Sequence, residues 1–330
     1  MRPCPFCENT SGNTERYRKS VDGSVLIGLK TDASMIRCRA CRSLYLNYVP
    51  SCDELRELYG ERFRYPDAPT QATLNSYKAV LRGMARHACS ESRRLLEVGC
   101  AGGNWLQAAD ALGWECEGND LNAEMLSQLH EKHGFPVHLG FFEDLDFPRP
   151  FDAVVAVNVF EHLNDPESFV AKVGEVLEPG GLFCMKTPLA DTWAERWEGY
   201  RWPHLAELGH LLFGSRQAIV EMFSRHDLEL VQFQSAGFPP SPRRVIQSRR
   251  GTTDASESSE SVQTAEGVVS KGVPTRSWAR RVLANSQYIK PLYFKLNRLL
   301  QWGDSSYWTF RRASIDPERS QQREFSNRAA

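Results

Sequence analysis

Between residues 93 and 238, short apolar runs alternate with segments of helical periodicity. That alternation is the pattern of a parallel sheet covered by helices on both faces. It constrains the chain more than any other feature, because a parallel sheet collects the ends of several strands along one edge, where ligands bind. RLLEVG supplies a first strand, and Asn104 opens a helix with Trp105, Ala108, Ala109 and Leu112 on one face. ECEGND is a second strand, and Asn122 stands where it can cap the helix that follows. VHLG is a short third strand. DAVVAVN is almost continuously apolar, as expected of a strand covered on both sides. A helix over 167–177 leads through Pro179-Gly180-Gly181 into LFCMKT, and a helix around 216–225 leads into LELVQFQ. SSYWTFRR is placed to return as an antiparallel strand. The expected fold is α/β, a doubly wound, mostly parallel seven-stranded sheet with a small N-terminal zinc-binding module.

The 330 residues divide by pattern into five stretches. Residues 1–50 hold two cysteine pairs, 51–92 read as a helical connector and 93–240 as the α/β domain. Residues 241–275 are poor in large apolar side chains and rich in Ser, Thr and Glu, so they read as a flexible insertion. Residues 276–330 are a basic amphipathic segment that ends with the last strand. No apolar run reaches the roughly 18 residues of a membrane span. The opening MRPCPFCENT has no apolar stretch behind Arg2, so no secretory signal is expected. Nine cysteines without a dense lattice fit a reducing compartment, and the cytoplasm is the expected location.

Cys4-Pro-Phe-Cys7 and Cys38-Arg-Ala-Cys41 are two CxxC units 30 residues apart. Two thiolates three positions apart can bend round one metal ion, and two such turns complete a tetrahedral set of four sulfurs. Fifty residues make a poor core, so a structural zinc at Cys4, Cys7, Cys38 and Cys41 would supply what packing does not. A redox CxxC would sit in a βαβ pattern, and neither pair does. Four sulfurs close the metal shell, which points to folding and not to catalysis.

Glu97-Val98-Gly99-Cys100-Ala101-Gly102-Gly103 follows the first strand and opens a helix. Small residues at such a turn let a ligand approach the backbone and the helix N-terminus closely. Asp120 ends the second strand, 23 residues after Glu97, where a carboxylate can accept both hydroxyls of a ribose. Together these read as a nucleoside-cofactor site. A dinucleotide fingerprint would place its third glycine at Asn104.

The pattern E-x-G-x-A-G-G resembles the first motif of class I S-adenosylmethionine-dependent methyltransferases. GNDLNAEML, GFFEDLDF, FDAVVAVNVFEHLNDP and LEPGGLFCMKTP resemble their later motifs in order, over about residues 75–238. The resemblance implies S-adenosylmethionine as cofactor. Its contacts would come from Glu97, Gly99, Cys100, Ala101, Gly103, Asp120, Leu121, Phe142, Glu143 and Asn158, with Asn158 beside the methionine part. Ala101 stands where many members have Gly, and Phe141 where an acid is common. The start CPFC…CRACRSLYLNYVP before such a domain also resembles a bacterial group that often modifies sugars, glycans or secondary metabolites. The implied activity is in-line methyl transfer to a small molecule, sugar or glycan acceptor.

An oxygen nucleophile benefits from a base, and the candidates are His162, His204 and His210. His162 follows Glu161 at the ligand-binding end of the fourth strand and is the expected catalytic residue. His204 and His210, in WPHLAELGHLLF, read as packed, hydrogen-bonded histidines. Some RNA-end and quinone-type O-methyltransferases carry E-x-x-E-H here with a divalent cation. Asn158 occupies the first position of that pattern, and a neutral amide is a poorer ligand for a hard cation.

Two other functions compete: an RNA methyltransferase, and a non-catalytic cofactor-binding module. Residues 1–240 carry 24 Lys and Arg against 33 Asp and Glu, a net of −9, whereas residues 241–330 carry 16 against 8, a net of +8. The larger part is therefore not built to grip a polyphosphate, and nucleic acid is not the expected partner. Residues 276–302 hold six Lys and Arg and no acid amid ample apolar surface. They could pack as a lid, or lie peripherally on an anionic membrane.

Overall fold

The computed structural model describes residues 2–19, 33–62, 69–88, 93–199, 202–206, 209–236, 303 and 305–314, together with a short ribbon of Ser261–Val262 against Val269–Ser270. The basic segment 276–302 and most of 241–275 lie outside the described residues. Among the described residues, no helix is long and apolar enough to cross a membrane.

The first sheet is small. Strands β1 (Thr14–Lys19), β2 (Ala33–Arg37) and β3 (Leu44–Leu46) pair antiparallel in that order. Then come α1 (Cys52–Arg56), a π-helical turn over Glu57–Arg62, and α2 (Gln71–Ala85). Ser51 and Glu54 close a reciprocal capping box at α1, and the Thr70 hydroxyl accepts the Thr73 N–H at α2. The first part of the expected helical connector is therefore α-helical only over Cys52–Arg56. Its second half widens to the π form, which often marks a functional position.

The large sheet contains β4 (Arg94–Val98), β5 (Glu115–Asp120), β6 (Val137–Leu139), β7 (Phe151–Val157), β8 (Leu177–Pro188), β10 (Leu228–Ala236) and β13 (Ser305–Arg312). The ribbon strands are β11 (Ser261–Val262) and β12 (Val269–Ser270), and β9 is Leu212–Phe213. The order is β10-β13-β8-β7-β4-β5-β6. Strands β8, β7, β4, β5 and β6 pair in parallel, and β13 runs antiparallel to both its neighbours. This is the doubly wound, mostly parallel seven-stranded sheet of the Rossmann-like methyltransferase fold. SSYWTFRR does return antiparallel, inserted between β8 and β10.

Side chains alternate across this sheet as strand geometry requires. Leu95, Ala153, Val155, Leu182 and Cys184 face a core built with α2, α3 (Asn104–Asp110) and α4 (Ala123–His133). Leu96, Val154, Ala156, Phe183 and Met185 face the opposite core, built with α5 (Pro166–Val176) and α8 (Arg216–Arg225). Asn122 caps α4, Asp165 caps α5 ahead of Pro166, and Ser215 caps α8. Phe6 of the N-terminal segment belongs to the second core. A third core joins Met35, Leu44 and Leu46 to Leu55, Trp202, Leu211 and Phe213.

The two sheets are physically tied. Strand β9 lies just before α8 in the chain, yet it is the fourth strand of the N-terminal sheet, paired with β3.

Phe310 on β13 is fully buried and stacks on Phe223 of α8 at 4.1 Å between ring centroids. Replacing it by alanine leaves a cavity under the inserted strand. Phe310→Ala should lower the unfolding free energy by about 3–5 kcal/mol in urea titration. A loss below about 1 kcal/mol would mean that β13 contributes little to the core.

Candidate active site and four-cysteine centre

The carboxyl ends of β4, β5, β7 and β8 open along one edge of the large sheet. At β4 the turn has an unusual backbone: Gly99 (φ +67°), Ala101 (φ +46°) and Gly103 (φ +68°) all lie in the left-handed region. A Cβ at Gly99 would stand 2.5 Å from Val159 Cγ2, and one at Gly103 would stand 2.3 Å from Leu129 Cδ1. Glycine at both positions is thus forced by close packing as well as by φ. Cys100 tucks its side chain beneath the turn, where it limits β5 to Gly118: a Cβ there would lie 2.8 Å from the Cys100 sulfur.

Two carboxylates flank the turn. Glu97 is buried and accepts the Leu106 N–H at 3.1 Å. Burial pushes its carboxyl well above the usual range, and the Asp120 charge adds to the shift. Asp120 is buried too. One of its oxygens accepts the Ala101 N–H (2.9 Å) and the other the Asn122 N–H (3.0 Å). The carboxylate is therefore locked by the backbone of both loops. The open turn and the oriented carboxylate fit a nucleoside cofactor with a ribose diol.

The remaining cofactor candidates are more dispersed. Leu121 follows Asp120 and is half-buried. Asn158 is exposed at the end of β7, at φ +55°, and its N–H donates to the Lys186 carbonyl. Phe142 packs its ring into the core against Phe169 at 5.3 Å and Phe147 at 6.2 Å. Glu143 is half-buried, and burial followed by the Asp144 and Asp165 charges raises its pKa.

Past β7, a short 3-10 turn over Phe160–His162 presents Glu161 and His162. His162 Nδ1 lies 2.7 Å from the Tyr59 hydroxyl and 3.0 Å from the Gly209 carbonyl. Gly209 has φ +73°, and a Cβ there would fall 2.1 Å from the Tyr59 hydroxyl oxygen. Glu161 is fully buried and accepts the Thr187 hydroxyl at 3.0 Å. Burial pushes it up to about 7, against the opposing pull of its hydrogen bonds. His210 is buried, with Nδ1 2.9 Å from the His204 carbonyl and Nε2 4.0 Å from Glu161. Ligand atoms of Glu161, His162 and His210 all lie within 4.8 Å of one another. His210 joins Glu161 and His162 there from a distant segment of the chain.

Tyr59 and the Gly209 carbonyl carried no sequence signal. Tyr59 sits in the π-helical turn, and its own carbonyl accepts from Asn122 at 3.4 Å, so it spans from the ribose side to His162. Burial drives its phenol pKa up, and the Glu161 charge adds to that.

Cys4, Cys7, Cys38 and Cys41 bring their sulfurs within 4.8 Å of one another, with Cys4–Cys41 and Cys7–Cys38 both at 3.6 Å. Cys38 also accepts the Cys41 N–H at 3.5 Å. Four convergent thiols with backbone support form a donor set that fits a tetrahedral thiophilic ion.

Residues 72–233 match the family described as "Methyltransferase domain". A ubiquinone biosynthesis O-methyltransferase of Chromobacterium violaceum is 36% identical over 109 residues, which are 31% of this chain and 47% of that protein. The protein of the same name from Bradyrhizobium sp. is 31% identical over 107 residues, 30% of this chain and 41% of that one. The chain thus spans less than half the length of either curated relative. A solved S-adenosylmethionine dependent methyltransferase from Mesorhizobium loti aligns at 16% identity and TM-score 0.46, over 72% of this chain and 100% of that chain.

Replacing the oriented carboxylate should weaken the cofactor site without unfolding it. Asp120→Ala should cost about 1–3 kcal/mol in affinity for S-adenosylhomocysteine by calorimetry, the range for a lost charge-assisted hydrogen bond. Unchanged affinity would remove Asp120 from the ribose site.

Proposed function

Residues 72–233 form a class I methyltransferase domain, and on that premise we propose that the chain transfers the methyl group of S-adenosylmethionine to a hydroxyl of a small molecule, sugar or glycan. The observation that carries this reading is His162, held at the crevice edge by the Gly209 carbonyl. Nδ1 sits between the Tyr59 hydroxyl and the Gly209 carbonyl, and these two contacts fix the orientation of the ring in which Nε2 would take the proton.

Bound S-adenosylmethionine supplies a methyl on a sulfonium, already a strong electrophile. The protein's task is alignment, proton removal and exclusion of water. Glu97 holds the turn by accepting the Leu106 N–H, and Asp120 is aimed at the ribose. Asn158 lies where the methionine part would be met. Nε2 of His162 takes the proton of the acceptor hydroxyl, and the Tyr59 hydroxyl beside Nδ1 steadies the imidazolium that results. Glu161, next in the chain and buried, adds negative charge to that neighbourhood when ionised. The relatives' names support an oxygen acceptor on a small molecule.

Isotopically methyl-labelled S-adenosylmethionine, incubated with the purified chain and fractionated cell extract, should label an acceptor in a small-molecule or glycan fraction. Label confined to RNA, or to nothing while S-adenosylhomocysteine binds, would overturn the reading. With the acceptor in hand, His162→Ala should lower kcat by about 10²–10⁴-fold, the range for a lost general base. It should also remove the acidic limb of the pH profile, where His162 becomes protonated, and leave S-adenosylhomocysteine affinity within about twofold.

We also propose that Cys4, Cys7, Cys38 and Cys41 hold one structural zinc. The purified chain should contain one equivalent of zinc by mass spectrometry, and Cys38→Ser should release it. Full metal content in that variant would refute the four-sulfur site.

A further inference from the structure

We propose that the four-cysteine centre is a positioning element of the acceptor site, coupled to His162 through Ser43 and the β3–β9 strand pair. The inference rests on reading the four cysteines as metal ligands and goes beyond a folding role for them.

The coupling is drawn in hydrogen bonds. The loop between Cys38 and Ser43 is closed by the Cys38 N–H on the Ser43 carbonyl (2.9 Å) and the Arg42 N–H on the Cys38 carbonyl (3.1 Å). Ser43 is fully buried, and its hydroxyl oxygen lies 3.3 Å from the Cys41 sulfur. The same oxygen accepts the N–H of Ser215, the capping residue of α8, at 3.0 Å. One buried hydroxyl therefore touches both a sulfur of the four-cysteine centre and the cap of α8.

Strand β3 begins with the next residue, Leu44, and pairs Leu44 with Phe213 and Tyr45 with Leu212. The peptide of Leu211 is a bridge: its carbonyl accepts the Leu46 N–H at 2.7 Å, and its N–H donates to the Glu161 carbonyl at 2.8 Å. Two residues upstream is Gly209, whose carbonyl holds His162 Nδ1. Strand β9 is only two residues long, so its position depends on β3 and not on a sheet of its own.

A second clasp acts nearby. Arg37, adjacent to Cys38, donates to the Arg42 carbonyl and pairs with the buried Glu195 at 2.5 Å. The Ala190 N–H donates to the Gly214 carbonyl. The cysteine module is thus fixed to both segments that follow the catalytic edge, 190–195 and 209–215. The Gly99–Gly103 turn and Asp120 stand on β4 and β5, beyond β7 in the sheet order. Loss of metal should therefore displace the Gly209 carbonyl and loosen the hold on His162, while the cofactor turn stays in place.

The full chain is compared with and without zinc, stripped by chelation, and as the Ser43→Ala variant with zinc retained. Amide exchange over 209–213 and 159–163 should quicken by tenfold or more in both altered forms. Imidazole nitrogen NMR should show the His162 resonances shifting. S-adenosylhomocysteine affinity should stay within about threefold, and added zinc should reverse the effect of stripping. Faster exchange confined to residues 2–46, with unchanged His162 nitrogen resonances, would overturn the coupling. If the stripped chain unfolds, the Ser43→Ala variant alone decides between these outcomes. A chain that takes up no zinc overturns the four-cysteine reading and this proposal together. A chain that loses S-adenosylhomocysteine binding in every form, zinc-loaded wild type included, overturns the methyltransferase reading instead.

Discussion

The site exists because of where the parallel sheet reverses its order. Strand β4 lies between β5 and β7, and the helices that follow β4 and β7 pack on opposite faces, α3 in one core and α5 in the other. Two loops that leave adjacent strand ends for opposite faces must diverge, and the gap between them is a crevice with backbone on both walls. The Gly99–Gly103 turn leaves the end of β4, and Glu161 and His162 follow the end of β7. Without the two-faced burial of alternating residues such as Leu95 and Leu96, or Val154 and Val155, the divergence would not be held.

Two of the six described non-glycine residues with positive φ stand at the same gap. Ala101 and Asn158 are both non-glycine residues in the left-handed region, one at the end of β4 and the other at the end of β7. Such conformations cost on the order of 1 kcal/mol or more each and persist only where the surroundings over-determine them. Here the restraints are visible. The Ala101 N–H is held by Asp120, and the Asn158 N–H by the Lys186 carbonyl. The backbone of both loop starts is thus held by partners on neighbouring strands.

The sequence made the sheet legible because buried parallel strands leave a signal at every residue. DAVVAVN, RLLEVG and ECEGND appear where expected, and Asn122 caps its helix as its position suggested. The cysteine spacing was equally readable, and the four sulfurs do converge. What the sequence hid depends on long-range contacts. Strand β9 has two residues, too few for any period, and it belongs to a sheet whose other strands lie more than 160 positions earlier. Tyr59 lies in the π turn, and only the folded chain brings its hydroxyl to His162. The Gly209 carbonyl is backbone and leaves no trace in residue type. Phe142 shows the converse. A motif places it beside a cofactor, but its ring is taken up by an aromatic cluster with Phe147 and Phe169.

Charge links these parts. Glu97, Asp120 and Glu161 are three carboxyl groups buried along one sheet edge, in a segment of the chain that is itself net acidic. Burial raises the pKa of Glu97 well above the ordinary range and that of Glu161 to about 7. A group with a raised folded-state pKa contributes stability below its unfolded value and loses it as pH rises through the folded one. The edge therefore holds protons near neutrality that the unfolded chain would release. A cation in the crevice favours the ionised carboxylates and lowers those pKa values.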